Sequence, residues 1–287
     1  MNIWPNPQFL VAFARLIPSM LPGKMRLAKW LLNSSLQDRD TEIRDKYGCV
    51  YKVPSLHESM AFHILVNGIY EPDVMKFLFG YLKKNSTFID IGANVGFFSI
   101  SIAKEVVTEG SVLSIEPSPT IFPYLRENVQ LNNIFNISIK NFALGSFTNQ
   151  LPFYDAPVDH FGMGSFSPQF HNNPIPVSVI TLDDLFKAEQ ITRADVIKVD
   201  VEGYESAVFQ GAKRTLSSDN SPIIIFEFCD WAEKRIPGQK IGDSQKILRE
   251  LGYKIWLLKD FLYNKNPLSE IIIDGYEMLV AIQGLSH

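Results

Sequence analysis

The stretch Phe88-Ile89-Asp90-Ile91-Gly92-Ala93-Asn94-Val95-Gly96-Phe97-Phe98-Ser99 decides how the chain reads. A short apolar strand carries an acid near its tip, two glycines follow, and an apolar helix begins. Such a strand–turn–helix unit brings backbone close to a nucleotide-type ligand. Working outward, the unit recurs. Val112-Leu113-Ser114-Ile115-Glu116 is a second strand, and the helix after Pro117 carries Ile121, Phe122, Leu125 and Val129 on its apolar face. Strand 137–143 runs into Ala143-Leu144-Gly145. Val196-Ile197-Lys198-Val199 ends at Asp200, before a helix with Tyr204, Val208, Ala212 and Leu216 at fourfold spacing, and Ile223-Ile224-Ile225-Phe226 ends at Glu227. Thr181-Leu182-Asp183-Asp184 caps a short helix. A helix near 243–251 and strands at 253–258 and 277–282 complete the chain. This alternation predicts an α/β fold, a parallel sheet with helices on both faces. The last two strands, joined through turn residues, pair as an antiparallel hairpin.

The rest of the chain serves this unit. In residues 8–33 the apolar positions have helical spacing, and Pro18 and Pro22 divide them into two short helices. Arg15, Lys24, Arg26 and Lys29 are interleaved with no acid before Asp38. Two readings stand: an arm packed on the main domain or on a second subunit of a homodimer, and an interfacial segment in peripheral contact with an anionic membrane. Residues 33–46 read as a linker and 49–53 as a strand. Ser55-Leu56-His57-Glu58 has the form of a capping box, which starts a helix near 56 and stops it at Asn67-Gly68. Pro72 opens another, with Val74, Phe77, Leu78 and Leu82 on one face. Three parts result: a helical extension over 1–44, a lead-in or cover over 45–85, and the strand–helix domain over 86–287. Within the last, residues 146–180 break the rhythm, with Gly162, Gly164, five prolines and many aromatics; they read as a hairpin and a flexible loop.

Composition bounds the class. Of 287 residues, 46% are apolar, enough for a sizeable core, and 27 Lys and Arg against 31 Asp and Glu leave no basic field for nucleic acid. Cys49 and Cys229 have no metal-type spacing and read as reduced thiols of a cytoplasmic protein. No apolar run is long enough to span a membrane, and no basic lead marks a signal peptide. Asn33, Asn85 and Asn136 begin Asn-x-Ser/Thr triplets that carry little without secretion.

In an open parallel sheet, ligands bind beyond the carboxyl ends of the strands. Asp90, Glu116, Asp200 with Glu202, and Glu227 all fall there. One acid at a strand tip is accounted for by a helix dipole, but several along one edge repel unless a cation sits among them. Glu116 follows Gly96 by the separation suited to a carboxylate on ribose hydroxyls. Asp90 and the Gly-x-x-x-Gly spacing of Gly92 and Gly96 are unwelcoming to a pyrophosphate. A ligand with an ammonium and a sulfonium, S-adenosylmethionine, suits them better.

These residues carry a resemblance. With Ile115-Glu116-Pro117, Asn141-Phe142-Ala143-Leu144-Gly145, Thr181-Leu182-Asp183-Asp184-Leu185, Gly68-Ile69-Tyr70-Glu71-Pro72 and, most distinctively, Ile197-Lys198-Val199-Asp200-Val201-Glu202-Gly203-Tyr204-Glu205, the chain resembles class I S-adenosylmethionine-dependent methyltransferases of the FkbM type over about residues 45–283. The resemblance implies a Rossmann-like seven-stranded sheet, mostly parallel, with an antiparallel last strand. It implies methyl transfer to a hydroxyl oxygen of a sugar, glycan or secondary metabolite. It places the methionine part on loop 90–96 with Asp90, Gly92, Asn94 and Gly96, the ribose on Glu116 beside Pro117, and the adenine edge on Asn141, Phe142 and Ala143, with Tyr70 and Glu71 closing over the cofactor.

An alcohol acceptor must lose its proton as the new bond forms. Glu202 is the expected base or acceptor-orienting group, with Asp200 as partner and Glu227 beside them. The structural alternative has Asp200 binding the cofactor's amino group or capping a helix, and Glu202 bracing Gly203. A second variant puts Mg²⁺ between Asp200 and Glu227, with Asp230 beyond. His160 and His171 are alternative bases in a loop whose Phe161, Met163, Phe166 and Phe170 read as a lid and acceptor wall. Two other classes stay open: a nicotinamide (NAD)-dependent oxidoreductase, separable by whether NAD or S-adenosylmethionine raises the melting temperature, and a non-catalytic cofactor-binding scaffold, which slow cofactor hydrolysis with no acceptor would leave open.

Overall fold

The computed structural model describes residues 15, 17, 23–32, 36 and 38–284. The first expected N-terminal helix lies almost wholly outside the described residues, as do the breaks at Pro18 and Pro22. Helix α1 (Lys24–Leu32) buries Lys24, Ala28 and Leu32 and turns Arg26, Leu27, Lys29 and Trp30 outward. Among the described residues no helix is long and apolar enough to cross a membrane.

The expected linker is not one throughout. Strand β1 (Thr41–Arg44) pairs antiparallel with β2 (Val50–Val53), and Asp45 holds the connecting turn. One Asp45 oxygen accepts from the amides of Tyr47 and Cys49, and the other from the hydroxyls of Tyr51 and Ser101. In β1 only Ile43 is buried, so the strand has too little alternation to read from sequence. The expected capping box also resolves differently. Helix α2 starts at Ser59 and runs to Asn67, and Glu58 itself is the N-cap, its carboxylate accepting from the Ser59 amide at 2.8 Å. Ser55 instead accepts from the His57 amide and donates to Asp38. Pro72 opens α3 (Pro72–Tyr81) as expected.

The main sheet has seven strands. They are β3 (Thr87–Ile91), β4 (Ser111–Ile115), β5 (Ile137–Lys140), β9 (Val196–Val199), β10 (Ile223–Cys229), β11 (Tyr253–Leu257) and β12 (Tyr276–Gln283), in the order β11-β12-β10-β9-β3-β4-β5. Only β12 runs against the others; it is inserted between β10 and β11 and pairs antiparallel with both. The chain steps from β3 outward through β4 to β5, then returns to β9 on the other side of β3. That reversal leaves a crevice beyond the tips of β3 and β9. Helices α4 (Phe97–Glu105) and α5 (Phe122–Leu131) follow β3 and β4. Residues expected to form one helix after Asp200 form two, α7 (Glu205–Gln210) and α8 (Lys213–Leu216). The break is at Gly211, where a Cβ would stand 2.0 Å from the Gly145 carbonyl oxygen. Before them in sequence, α6 (Leu182–Ala188) is capped by the Thr181 hydroxyl accepting from the Asp184 amide. The last helices are α9 (Asp230–Arg235), α10 (Asp243–Glu250) and α11 (Leu258–Leu262), the last standing where turn residues were expected between β11 and β12.

The irregular segment contributes a small sheet. β7 (Asn149–Phe153) pairs antiparallel with β8 (Ile175–Ile180), which pairs parallel with the two-residue β6 (Ala143–Leu144). The loop between β7 and β8 arches back over the crevice. Both cysteines are free and buried.

The cover is fastened to the domain through one face of α5. Asn128 and Asn132, one turn apart, pair their amides with the backbone of Lys52 and Val50 respectively, at 2.6–3.1 Å, as a neighbouring strand would. Asn128 is fully buried and also donates to the Val95 carbonyl at 2.9 Å, so one side chain ties cover, helix and glycine loop together. Replacing it by alanine leaves buried backbone groups of Lys52 and Val95 unpaired. Asn128→Ala is expected to lower unfolding stability by about 2–4 kcal/mol, read from the midpoint and slope of urea denaturation; a loss below about 0.5 kcal/mol would show that the clamp is dispensable.

Candidate active site

The glycine loop is shaped by crowding from the next strand. Gly92 has φ +81°, and a Cβ there would lie 1.8 Å from the Asp200 carbonyl oxygen. The amides of Gly92 and Ala93 both donate to the Ile115 carbonyl, which folds the loop back over β4. Asn94, at φ +52°, then turns its amide onto the Glu116 carboxylate. Gly96 is the N-cap of α4, packed against Leu125 and Ile100, and takes no part in lining the crevice.

Two contiguous cavities open beyond the strand tips, sharing Gly92, Asn94, Gly162, Asp200 and Glu202. The first, ≈550 Å³, is lined by Glu116, Pro117, Ala143, Phe153, Phe161 and Phe166 among others. Glu116 is 6% exposed, and its two oxygens accept from the amides of Asn94 and Ser118, each at 2.8 Å. Burial pushes its carboxyl up to about 7, against those hydrogen bonds. The fixed carboxyl keeps further lone pairs for a diol. Of the expected adenine edge, only Ala143 lines this cavity. Asn141 spends its amide on the carbonyls of Glu116 and Pro117, and Phe142 packs into the core. The apolar wall comes largely from the loop between β7 and β8.

Asp90 lies beneath the loop rather than in it. It is fully buried, lines neither cavity, and accepts from Ser99 at 2.5 Å, while its other oxygen has no partner. Burial raises its pKa, opposed by Lys198 and by the Ser99 bond. Lys198, unassigned in the sequence reading, is the cation among the acids. Its ammonium is 1% exposed, bonds Asp200 at 2.8 Å and sits 4.8 Å from the Phe98 ring centroid. Burial alone would lower its pKa; Asp200, Asp90 and Glu71 together raise it.

The second cavity, ≈850 Å³, holds Asp200, Glu202 and Glu227, together with Glu58, Tyr70 and Trp231. Ligand oxygens of Asp200, Glu202 and Glu227 lie within 4.8 Å of one another. Asp230 is not among them; it is spent on the amides of Trp231 and Gly275. Glu202 adopts φ +55° and is held from behind: Ser165 donates to its carbonyl, and the buried Glu205 accepts from the amides of Val201 and Gly203. Burial, then Asp200 and Glu205, push the Glu202 carboxyl up to about 8. Glu227 rises for the same reasons, burial first and then Asp200 and Glu202. Glu71, at φ +41°, accepts from the Tyr276 hydroxyl on one oxygen, while the other is buried without a partner; burial and then Asp200 bring its carboxyl to about 6. His160 pairs with Asp159, and His171 accepts from the Asn173 amide; neither lines a cavity.

These features meet the demands of a donor with ribose hydroxyls and cationic groups. Glu116 keeps free lone pairs on the first cavity, and the carboxylates of Asp200, Glu202 and Glu227 crowd the second. The donor set of Asp200, Glu202 and Glu227 also fits a hard divalent cation. Sequence reasoning missed Lys198, Glu205, Glu58 and Trp231. Lys198 and Glu205 had a signal in the string 197–205, where charged residues alternate with apolar ones at a strand tip.

The protein is 27% identical over 154 residues to the hexuronic acid methyltransferase AglP of Haloferax volcanii, covering 54% of this chain and 61% of that protein. It is 26% identical over 168 residues to Methyltransferase 1 of Beauveria bassiana, covering 51% and 66%. The chain thus spans under two thirds of the length of these curated relatives. Among solved structures it superposes on precorrin-6y C5,15-methyltransferase of Geobacter metallireducens GS-15 with a TM-score of 0.44 and 13% identity, covering 75% of this chain and 90% of that one. The model of the methyltransferase FkbM domain matches residues 90–255, more than half of the sequence and all of the strand tips described above, and the chain belongs to that family.

Proposed function

We propose that the protein transfers a methyl group from S-adenosylmethionine to a hydroxyl oxygen of a sugar, glycan or secondary metabolite. The observation that carries the reading is the junction of the two cavities. A carboxyl suited to ribose hydroxyls lines one, an acid cluster lines the other, and Asp200 and Glu202 belong to both. Family membership favours this over a nicotinamide-dependent reaction. The relative named for hexuronic acid methylation supports a sugar as the acceptor class.

When bound, S-adenosylmethionine supplies a methyl group already activated by its sulfonium. The chain's own residues do the rest. Glu116 takes the ribose hydroxyls, and Pro117, Phe153, Phe161 and Phe166 enclose the base. Asp200, shared by both cavities, would face the ammonium. Glu202 accepts the hydroxyl proton as the oxygen–carbon bond forms and the carbon–sulfur bond breaks, with Glu227 orienting the acceptor. The arch over residues 161–163 excludes water and holds the reacting groups in line. A base raised to about 8 is roughly one-tenth ionised at pH 7, and turnover climbs as pH rises through its pKa.

Removing the Glu116 carboxyl is expected to weaken S-adenosylmethionine binding by about 100-fold in calorimetry on Glu116→Ala, since buried hydrogen bonds to a carboxylate are lost; unchanged affinity would reassign the ribose site. Glu202→Gln should bind the donor normally, lose about 10²–10⁴-fold in turnover, and lack the ascending limb near pH 8 expected of the parent protein. An unaltered pH profile moves the base elsewhere.

The close approach of the three carboxylates favours one second reading, Mg²⁺ bound there to orient a hydroxyl. On that reading exhaustive chelation abolishes turnover and added Mg²⁺ restores it, whereas full turnover in chelator removes the metal.

A further inference from the structure

Helix α1 presents a face that the crevice does not use. Its inner side is buried, and Ala28 and Leu32 join Tyr51, Ala61 and Ile64 in the core of the cover. Polar ties hold the arm in place as well. The Arg15 guanidinium donates to the carbonyls of Arg44, Ile64 and Leu65 at 2.6–3.2 Å, and the Lys24 ammonium donates to the Ile17 carbonyl at 2.7 Å. The Asn67 amide donates to the Met25 sulfur at 3.4 Å. The outer side of α1 is thus a firmly held surface.

On that outer side Trp30 is 68% exposed and Leu27 43%, and the exposed cations Arg26 and Lys29 stand beside them. One helical turn relates Arg26 to Trp30 and to Lys29, and Leu27 to Trp30, so the four side chains form one patch. A single exposed apolar side chain is ordinary on a protein surface. Here the charge is sorted too. Four basic residues, Arg15, Lys24, Arg26 and Lys29, precede the first acid, Asp38, in a chain whose net charge is −4. Arg15 and Lys24 are spent on backbone carbonyls, which leaves Arg26 and Lys29 for the surface. The sequence ahead of Arg15 adds Trp4, Phe9, Leu10, Val11 and Phe13 with no charged side chain.

The patch discriminates between occupants. A second copy docked through the same face about a two-fold axis would set Arg26 and Lys29 against their own mates. A lipid surface with anionic headgroups satisfies both halves of the patch. The cations meet phosphates, while indole and leucine enter the boundary between headgroups and acyl chains, where tryptophan is favoured. We propose that the outer face of α1 docks on an anionic lipid membrane, with Trp30 and Leu27 at headgroup depth and Arg26 and Lys29 against the phosphates. The inference is independent of the methyltransferase reading. Helix α1 packs on α2, whose first residues, Ser59 and Met60, line the second cavity, so one helix stands between the docked face and the crevice.

Flotation of the full chain tests this, using vesicles of phosphatidylcholine alone or of equimolar phosphatidylcholine and phosphatidylglycerol, at low salt. The protein is expected to float with the anionic vesicles and to bind the neutral ones about tenfold more weakly or worse. Arg26→Glu combined with Lys29→Glu, and separately Trp30→Ala, should each weaken anionic-vesicle binding by about tenfold while keeping the parent melting temperature, since all three side chains are exposed. No flotation with anionic vesicles, equal binding to both kinds, or undiminished binding in either variant overturns the proposal. Sedimentation velocity without lipid checks the other occupant: a dimer that Trp30→Ala dissociates assigns the face to a second copy and overturns it as well.

Discussion

The crevice depends on one buried ion pair. Lys198 points from the central strand β9 into the layer below the glycine loop, where its ammonium meets Asp200 and lies within the fields of Asp90 and Glu71. A lone ammonium at that depth would be expelled or neutralised, and the acids around it would repel one another. Lys198 and Asp200 form a charge-balanced pair beneath the loop, and the fields of Asp90 and Glu71 hold the ammonium charged. The tight passage of Gly92 over the Asp200 carbonyl adds a steric lock to the electrostatic one, so the tips of β3 and β9 are held at one spacing.

Above this pair the balance is lost in a useful direction. Glu116, Glu202 and Glu227 all ionise less readily than in water, each with burial as the largest cause. A crevice lined in this way gains most from a partner that brings positive charge, because such a partner restores the ionised forms. The same elevation brings Glu202 into the range where a carboxyl can both accept and release a proton near neutrality. Glu205 holds Glu202 in place: by taking the amides of Val201 and Gly203 it fixes the positive-φ turn at Glu202.

Much of this was legible in the sequence because it depends on local order. Alternating apolar runs and glycine turns announced the parallel sheet, and Glu116 was readable because its distance from the loop is set by one helix and one strand. Asp90 shows the limit. Its place at a strand tip suggested ligand contact, yet side chains alternate across a strand, and the face it occupies is sealed by Ser99. Asn141 was read as a ligand edge, but its amide closes a turn. Glu58 failed for a different reason: a capping-box pattern is equally compatible with the acid serving as the cap, and the choice is made by Asp38, distant in sequence, which engages Ser55. Trp231 acquires meaning only when β9, β10 and the cover are brought together, which no local window contains.

The amide clamp of α5 has a mechanical side. Asn128 joins the Lys52 backbone to the Val95 carbonyl, at the end of the glycine loop. The cover and the glycine loop therefore share one buried side chain, and neither can shift at Lys52 or Val95 without breaking hydrogen bonds that position the other.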